Sequence, residues 1–528
     1  GYPLETRTGT DLAMTFTVRN IGAQDSDEFD ARVVFSQGQS FSPVVVNCNA
    51  LEAGAEAVYE YTWDCANWFD PPMELTVSIE ADYLEECDDS WRGNNSGSCS
   101  VQLNDTYPTE EGWPISVDGV VGTTPILVNL DEDTDLEIVA LTGTFLTAYE
   151  NDGSVIWSIG DQGFSSDEQP MVADLDQDGT IELLLDSSEG IKVVSSTGSI
   201  LDCVDDLSWD CFVVGNMHPT AGLELCAADG ACITLYYWHS TREEFIYVED
   251  EDLQSSGLWS GVSLACADLT GNSHEDVAYS YNSLGVSTVD RYIDIYDWSS
   301  DSVAYSNNWT VTPYVSYVAA GELAGRKEVG YSFGSYVSGS SDPAMLVEFN
   351  GSVQVYDCDQ GDTDAGNLLC GVFADWAAGE GADAFVLPSE MQCLAWDDQG
   401  EMLSDWPTVV YSGAEYGSFI SPTALGDLDS SGVADVLFAT ELSGDYSLRS
   451  YGSDGLLLND LDFPITLPEA VSALGGFSIA DIDRDGCIEI VFGTSDGLLH
   501  CWELGDCTTG YAPWVQFQHD HGRTGVLE

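Results

Sequence analysis

Asp174–Glu182 reads DLDQDGTIE and Asp481–Glu489 reads DIDRDGCIE, two copies of one nine-residue acidic pattern. Each copy follows an apolar, strand-like run. Positions 1, 3 and 5 carry side-chain oxygens, and position 9 carries a carboxylate. In a tight loop this alternation turns several hard oxygen donors toward one point, which suits Ca²⁺. The pattern therefore predicts a calcium-binding loop.

The pattern recurs along most of the chain. Further copies are NLDEDTDLE at Asn129–Glu137, DLTGNSHED at Asp268–Asp276 and DLDSSGVAD at Asp427–Asp435, and weaker ones start at Asn216, Glu322 and Asp375. The eight starting positions are about 42 to about 54 residues apart, which is the length of a four-stranded propeller blade. Gly179, Gly432 and Gly486 stand at position 6, where the chain must turn sharply. The repetition thus predicts an architecture as well as an ion.

Strand-like runs rich in Val, Ile and Tyr flank these loops, and apolar stretches with a helical period are scarce. We therefore predict an all-β fold in which residues 107–528 form an eight-bladed β-propeller. Seven blades with one irregular copy is the alternative. Residues 1–106 form a separate small domain in this interpretation.

These loops resemble the FG-GAP/VCBS family of calcium-loop β-propellers, the architecture also found in integrin α-subunit heads. The resemblance covers roughly Trp113 to Gly525, and it implies metal sites that are structural. The ligands it implies are Asn129, Asp131, Asp133 and Glu137; Asp174, Asp176, Asp178 and Glu182; Asp427, Asp429 and Asp435; and Asp481, Asp483, Asp485 and Glu489. Asp268, Asn272 and Asp276 match less well, because Thr270 replaces a carboxylate. We expect four calcium ions, with this fifth loop as the doubtful one and none at the three weaker copies.

The ends of the propeller region indicate how a ring would close. Trp113-Pro114-Ile115 precedes the first loop and is similar to Trp406-Pro407, which ends a later repeat. We predict that it supplies the outer strand of the last blade, which removes free sheet edges. The tail PWVQFQHDHGRTG resembles a closing segment of the family, so His519 and His521 are interpreted as structural.

The first 106 residues differ from the rest. DLAMTFTVRNIG alternates apolar and polar side chains and ends in a turn at Asn20-Ile21-Gly22. Together with later strand-like runs it resembles a CARDB-type Ig-like sandwich, a module of secreted and surface proteins. About ten residues precede the first full strand. Either the first strand is very short, or an open groove accepts a strand from a neighbouring chain and joins copies head to tail.

Charge and cysteine content indicate the partners, the ionic medium and the redox compartment of the protein. The formal net charge is −80, from 92 acidic and 12 basic residues, which disfavours nucleic acid and anionic lipid as partners and favours a saline or calcium-rich medium. Fifteen cysteines point to an oxidising compartment. Near spacing predicts the disulfides Cys48–Cys65, Cys87–Cys99, Cys203–Cys211, Cys226–Cys232, Cys358–Cys370 and Cys501–Cys507, leaving Cys266, Cys393 and Cys487.

Asn94, Asn104, Asn308 and Asn350 head glycosylation sequons. The sequence contains no long apolar run and no signal peptide, so we expect Gly1 to follow a processing site and no membrane insertion.

No motif for hydrolysis or phosphate binding occurs, so we predict a protein that is not an enzyme. The interpretation is a calcium-stabilised extracellular structural or adhesive surface protein, self-assembling as a filament or surface-layer subunit through the Ig-like domain. One alternative is a monomeric adhesin that binds glycans or proteins. The other is a propeller enzyme, either a quinoprotein dehydrogenase or a polysaccharide lyase.

Overall fold

The chain divides into two compact units, Gly1–Tyr107 and Pro108–Glu528. The computed structural model describes residues 4–7, 11–36, 44–64, 73–84, 87, 95–104, 112–117, 119–131, 133, 135–165, 169–204, 210–219, 222–229, 232–252, 259–284, 289–311, 316–323, 326–333, 344–349, 353–358, 371–374, 376, 384–388, 392–404, 406, 408–409, 418–419, 421, 423–429, 431–442, 445–458, 463–467, 476–495 and 497–504. None of these residues is helical, so the all-β prediction is confirmed for them. Among them no helix could span a membrane.

The first unit is built from two sheets. Its strands are β1 (Leu4–Arg7), β2 (Asp11–Arg19), β3 (Phe29–Ser36), β4 (Val44–Cys48), β5 (Glu56–Asp64), β6 (Met73–Ala81) and β7 (Ser96–Asn104). One sheet has the order β1-β7-β6-β3-β4, and the other pairs β2 with β5. Phe16 and Tyr59 of the second sheet pack against Phe29 and Ala31 of the first, so the two sheets share an apolar core.

The first strand is short, as one of the two alternatives predicts. β1 has four residues and runs parallel to β7, with Leu4 opposite Val101 and Arg7 opposite Asn104. It lies at the edge of the five-stranded sheet. The β2–β5 sheet has no further strand among the described residues, so both of its strands are edges there.

The second unit is a series of antiparallel sheets, each containing consecutive strands. It begins with β8 (Ile115–Ser116). The first sheet has β9 (Ile126–Val128), β10 (Glu137–Thr142), β11 (Phe145–Tyr149) and β12 (Val155–Ile159); the second has β13 (Met171–Ala173), β14 (Glu182–Leu185), β15 (Ile191–Ser195) and β16 (Ile200–Val204); the third has β17 (Cys211–Gly215), β18 (Glu224–Asp229), β19 (Cys232–His239) and β20 (Glu244–Asp252); the fourth has β21 (Trp259–Ala267), β22 (Asp276–Leu284), β23 (Val289–Asp297) and β24 (Ser302–Val311).

Four more sheets follow in the described part of this unit. The fifth has β25 (Ser316–Leu323), β26 (Arg326–Phe333), β27 (Ala344–Phe349) and β28 (Val353–Cys358); the sixth has β29 (Val372–Ala374), β30 (Ala384–Pro388), β31 (Gln392–Trp396) and β32 (Thr408–Val409); the seventh has β33 (Ser418–Phe419), β34 (Ala424–Gly426), β35 (Asp435–Leu442), β36 (Asp445–Tyr451) and β37 (Ile465–Thr466); the eighth has β38 (Phe477–Ala480), β39 (Ile488–Gly493), β40 (Leu498–Leu504) and β8. The acidic loops join the first strand of a sheet to the next one.

Apolar side chains fill the space between successive sheets. Val139 and Leu183, for example, lie in a core shared by the first and second sheets. Trp396 and Phe385 lie in a larger core shared by the fifth, sixth and seventh. Burial of these faces is the main term that stabilises such a fold.

The last sheet also packs against the first. Leu127 and Ile138 of the first sheet share a core with Val491 and Leu499 of the eighth. β8 pairs with β40, with Ile115 opposite Leu499 and Ser116 opposite Leu498. The prediction that the segment around Trp113-Pro114-Ile115 supplies the outer strand of the last sheet is therefore confirmed. We call this contact between the eighth and first sheets the seam.

The disulfide predictions made from spacing are wrong for all six pairs, because each pair includes a cysteine that carries a thiol: Cys48, Cys87, Cys203, Cys226, Cys358 and Cys501. The Cys48, Cys87 and Cys203 sulfurs are thiols that donate to the carbonyls of Val46, Asp27 and Glu189 at 3.6, 3.6 and 3.7 Å, and Cys226 is a buried free thiol. Strand register explains the last case. Cys226 lies opposite Leu235, whereas Cys232 lies opposite Asp229, so the two sulfurs stand too far apart along the strands for a bond.

Cys487, which spacing leaves over, is disulfide-bonded, and Cys501 carries a buried thiol instead. The partner of Cys487 is not among the residues whose side chains are described. Other predictions also fall outside those residues: the loop at Asp375, the tail with His519 and His521, and Cys65, Cys370 and Cys507.

Candidate metal centres

One hydrogen bond is common to five of the repeated loops, including one copy not predicted to bind an ion. The carboxylate at position 9 accepts the backbone N–H of position 2. The donors and acceptors are Leu130 and Glu137, Leu175 and Glu182 at 3.0 Å, Met217 and Glu224 at 2.9 Å, Leu428 and Asp435 at 2.8 Å, and Ile482 and Glu489 at 2.8 Å. We call this bond the loop clamp. It closes the loop, and it occupies one oxygen of the position-9 carboxylate.

The acid at position 1 holds the sharp turn of the loop. Asp427 Oδ2 accepts the N–H of Gly432 at 2.9 Å, and Asp481 Oδ2 accepts that of Gly486 at 3.2 Å. Gly432 has a φ of 85° and Gly486 a φ of 94°, a region that favours glycine. A Cβ at either glycine would meet nothing within 4 Å. The turn therefore demands glycine for its backbone conformation and not for space.

Four loops bring three carboxylates together. In each, one oxygen from each acid lies within 4.8 Å of the others. The groups are Asp131, Asp133 and Glu137; Asp174, Asp176 and Asp178; Asp427, Asp429 and Asp435; and Asp481, Asp483 and Glu489. These are the four loops predicted to bind calcium. Asn129 is oriented differently, because its amide Nδ2 donates to the Asp133 carbonyl at 2.6 Å.

Each of these four loops also contains a buried carboxylate oxygen that accepts no hydrogen bond among the described atoms. These atoms are Glu137 Oε1, Asp176 Oδ1, Asp427 Oδ1 and Asp481 Oδ1. Leaving a buried acceptor unsatisfied costs about 1–3 kcal/mol, and more for a charged group. A cation coordinated by that oxygen would remove the penalty, so the donor set fits a metal ion.

Burial and mutual repulsion shift the acidity of these groups. Burial raises the pKa of Glu137 and of Glu182 to about 7, and the neighbouring aspartates add to both shifts. Burial and the charge of Asp429 raise the pKa of Asp435 to about 8. Without a cation these loops therefore hold carboxylates that resist ionisation near neutral pH.

The chemistry of the donors distinguishes between metals. The four groups offer only carboxylate oxygens, which suit Ca²⁺ and not the sulfur and nitrogen preference of Zn²⁺. A further cluster of Asp485, Cys487 and Glu503 lies beside the last loop. Its sulfur is disulfide-bonded and so is not a thiolate ligand.

The loop Asp268–Asp276 is held together in another way. Thr270 donates to Asp276 twice, from its N–H to Oδ2 at 2.7 Å and from its hydroxyl to Oδ1 at 3.3 Å. Asn272 Nδ2 donates to Asp297 Oδ2 and Ser299 Oγ, both at 3.0 Å. Asp268, Asn272 and Asp276 do not form a three-acid group among the described residues. The Thr270 hydroxyl supplies the positive end that a cation would supply in the other loops.

Replacing Thr270 with valine should therefore destabilise the protein by about 1–3 kcal/mol, because the buried Asp276 loses a donor. We expect the same loss with and without Ca²⁺, measured by chemical denaturation. Thr180→Val is the control, since the exposed Thr180 hydroxyl donates to Asp178 at 2.6 Å and should contribute less than about 0.5 kcal/mol. A Thr270→Val effect that depends on calcium would show that this loop does hold an ion.

The remaining loops are distinct from the four acidic groups. In the third, Glu224 Oε2 accepts both Met217 N–H and His218 N–H, at 2.9 and 3.0 Å. In the fifth, β25 and β26 pair as far as Leu323 opposite Arg326, so a tight hairpin replaces the nine-residue loop. The four acidic groups therefore occupy the first, second, seventh and eighth sheets, so that two lie on each side of the seam.

One acid near the first loop was missed by the sequence pattern. Glu150 follows β11, and burial together with the charges of Asp131 and Asp133 raises its pKa. It thus faces the first acidic group from the turn between β11 and β12. Only the pairing of strands places this turn beside the loop, although an acid directly after the third strand of a repeat is visible in the sequence.

The chain is similar to one protein family over its first unit and to several solved structures over most of its length. Residues 2–98 match the family model CARDB. The search of the curated proteins found no match. Among solved structures, the V. cholerae biofilm matrix protein Bap1 is similar at 13% identity and a TM-score of 0.39, over 80% of this chain and 96% of that chain. The exotype rhamnogalacturonan lyase YesX is similar at 13% identity and 0.38, over 99% and 95%. A streptogramin B lyase is similar at 10% identity and 0.36, over 74% and 97%.

Proposed function

We propose that the second unit is an eight-bladed β-propeller of the FG-GAP/VCBS type. Seven of its eight described sheets have four antiparallel strands, and the seventh sheet has five. The packing of the eighth sheet against the first and the pairing of β8 with β40 support a closed ring. Closure of this kind removes the free edges of an open array.

We propose that four calcium ions stabilise this ring, one in each of the four acidic loops. The observation that carries this proposal is the pairing of three convergent carboxylates with one buried, unsatisfied oxygen in every one of these loops. Bound Ca²⁺ would supply the positive charge that these oxygens lack. The loop at Asp268–Asp276 lacks both features and is assigned no ion.

The function we propose is that of a non-enzymatic structural or adhesive protein outside the cell. The acids of the repeats are bonded to the backbone of their own loops, which accounts for them as structural groups without a catalytic role. A large negative charge of −80 is tolerated best where dissolved salt and divalent cations screen it. Millimolar calcium, common outside cells, would keep such loops loaded.

We further propose that copies of the chain assemble through the first unit. The CARDB-like sandwich presents the edges of β2 and β5, which have no other partner among the described strands. A sheet edge is a template for a strand of another chain. A head-to-tail contact of this kind builds filaments when it does not close into a ring.

Electron microscopy of the natively purified protein in millimolar Ca²⁺ and then in excess chelator tests the proposal, with bound calcium counted in parallel. We expect about four ions per chain and filaments or arrays that come apart on chelation. Glu224→Gln is a matched control, because Glu224 forms the clamp in a loop without an acidic group, and it should change neither result.

Two outcomes would count against parts of this function. Single particles in both conditions, with four ions bound, would remove self-assembly and leave a monomeric glycan- or protein-binding adhesin. Failure to bind calcium would remove the structural role of the loops and reopen the alternative of a propeller enzyme.

A further inference from the structure

The strand pairing beside the seam is short. β8 contributes two residues to the eighth sheet, opposite Leu498 and Leu499. β39 and β40 in the same sheet pair along six residues. The seam also depends on close packing, since a Cβ at Gly493 would lie 2.1 Å from Val121 Cβ. With so short a strand pairing and such close packing, further bonds between the eighth and first sheets would help to keep the seam closed.

A backbone hydrogen bond crosses the seam between two acidic loops. Leu136 N–H, at position 8 of the first loop, donates to the Ile482 carbonyl, at position 2 of the last loop, at 2.8 Å. The N–H of Ile482 donates to Glu489 Oε2 at 2.8 Å. Leu136 directly precedes Glu137, whose Oε1 is buried and unsatisfied. One residue, Ile482, therefore connects the acidic group of the eighth sheet with that of the first, through its N–H on one side and its carbonyl on the other.

The same type of bond occurs at a junction away from the seam. Leu223 N–H of the third loop donates to the Leu175 carbonyl of the second loop at 3.1 Å, and Leu175 N–H is clamped by Glu182. There, however, the third loop lacks an acidic group, and the chain itself connects the two sheets directly. The bond between Leu223 and Leu175 therefore serves as an internal control for the bond across the seam.

We infer that cations bound by Asp481–Glu489 and Asn129–Glu137 act together as a latch that holds the seam closed. The inference rests on the proposed calcium binding and specifies what two of the ions do. Each ion fixes the carboxylates of its own loop, and the backbone of Ile482, bonded to Glu489 through its N–H and to Leu136 through its carbonyl, passes that order to the other loop. Loss of one ion should loosen the seam and weaken binding of the other, because linked sites affect each other reciprocally.

Hydrogen exchange of the full chain in millimolar Ca²⁺ tests the latch. Asp483→Asn removes a position-3 carboxylate of the last loop and leaves the Glu489 clamp intact. Asp176→Asn is the matched change in the second loop. We expect Asp483→Asn to speed exchange about tenfold at Leu136 and at Val117, which follows β8 and extends the β8–β40 pairing beside the seam by donating its N–H to Gly497 at 2.9 Å. It should leave Leu223 unchanged, whereas Asp176→Asn should affect Leu223 and not the seam.

Double-variant cycles give an independent measurement of the coupling. Asp483→Asn and Asp131→Asn should each lower the melting temperature of the calcium-loaded protein. The double variant should lose less than the sum of the two, because either substitution alone already disrupts the same latch. The effects of Asp176→Asn and Asp429→Asn, in loops that are not neighbours, should add.

The outcomes separate the latch from the proposed function. If the wild-type chain binds no calcium, the proposed function and the latch both fail. If it binds four ions but Asp483→Asn and Asp176→Asn affect the seam equally, or neither does, only the latch is overturned. Additive effects of Asp483→Asn and Asp131→Asn would also overturn it.

Discussion

Removal of calcium is expected to lower the melting temperature of the protein by about 10 °C. A ligand present at 100 times its dissociation constant stabilises by about 2.7 kcal/mol per site, so four sites supply on the order of 10 kcal/mol. Spread over a unit of this size, that free energy corresponds to a shift of about 10 °C. Calorimetry in millimolar Ca²⁺ and in excess chelator measures it directly.

The chelated protein should also become less stable as the pH rises from about 4.5 to about 8. The folded-state pKa values of Glu137 and Glu182 are raised to about 7, and that of Asp435 to about 8. The same groups ionise near pH 4 in the unfolded chain. The unfolded state therefore releases these protons first, and stability is lost as the pH rises toward the folded pKa values.

Bound calcium should reduce this trend, because it favours the ionised carboxylates of the four loops. Part of it should remain, since burial also raises the pKa of Asp276 to about 7 in the loop that is assigned no ion. The control is Glu224→Gln, which should leave both the calcium shift and the pH trend unchanged. A chelated protein that gains stability between pH 5 and pH 8 would show that the pKa values of these acids are not raised in the folded protein.

Replacement of Trp396 with alanine is expected to lower the free energy of unfolding by about 3–5 kcal/mol. Trp396 is fully buried in the core shared by the fifth, sixth and seventh sheets. Its ring stacks on Phe385 with centroids 6.2 Å apart. Phe385 in turn fills the space left by two glycines, since a Cβ at Gly330 or Gly371 would lie 2.4 or 2.3 Å from its ring. A cavity here removes contacts from three sheets.

Chemical denaturation measures this loss, and Leu456→Ala provides the control. Leu456 is 65% exposed, so its truncation should change stability by less than about 0.5 kcal/mol. Trp396 contributes no carboxylate to the four acidic groups, so we expect its loss to be the same in calcium and in chelator, although its core also contains Ala434 of the loop in the seventh sheet. A calcium-dependent loss would mean that this core and the loops are energetically coupled.

Some features of the fold could be predicted from short segments of sequence. The acidic loops could be located because a nine-residue turn with oxygens at alternate positions needs those residue types in that order, with glycine where φ is positive. The alternation of loops with apolar runs predicts antiparallel strands, and the strand bounds follow it closely, since Glu137, Glu182 and Asp435 each begin a strand. Even the pairing of Ile115 with the last sheet could be predicted from the similarity of its segment to a later one.

Other features depend on contacts between residues distant in sequence. Spacing alone paired Cys226 with Cys232, but strand register separates their side chains. Spacing could not show that the Thr270 hydroxyl satisfies Asp276, or that Glu150 faces the first loop, because both depend on where neighbouring turns are placed.

The sequence by itself determined the repeat, the all-β class and the four loops able to gather carboxylates, because these depend on short-range backbone geometry. The tertiary structure alone decided which oxygens are buried without a donor, and that Ile482 links the last loop to the first. The physical reason is that desolvation and hydrogen-bond satisfaction are properties of packed sheets, and the eighth and first sheets meet only when the chain has folded.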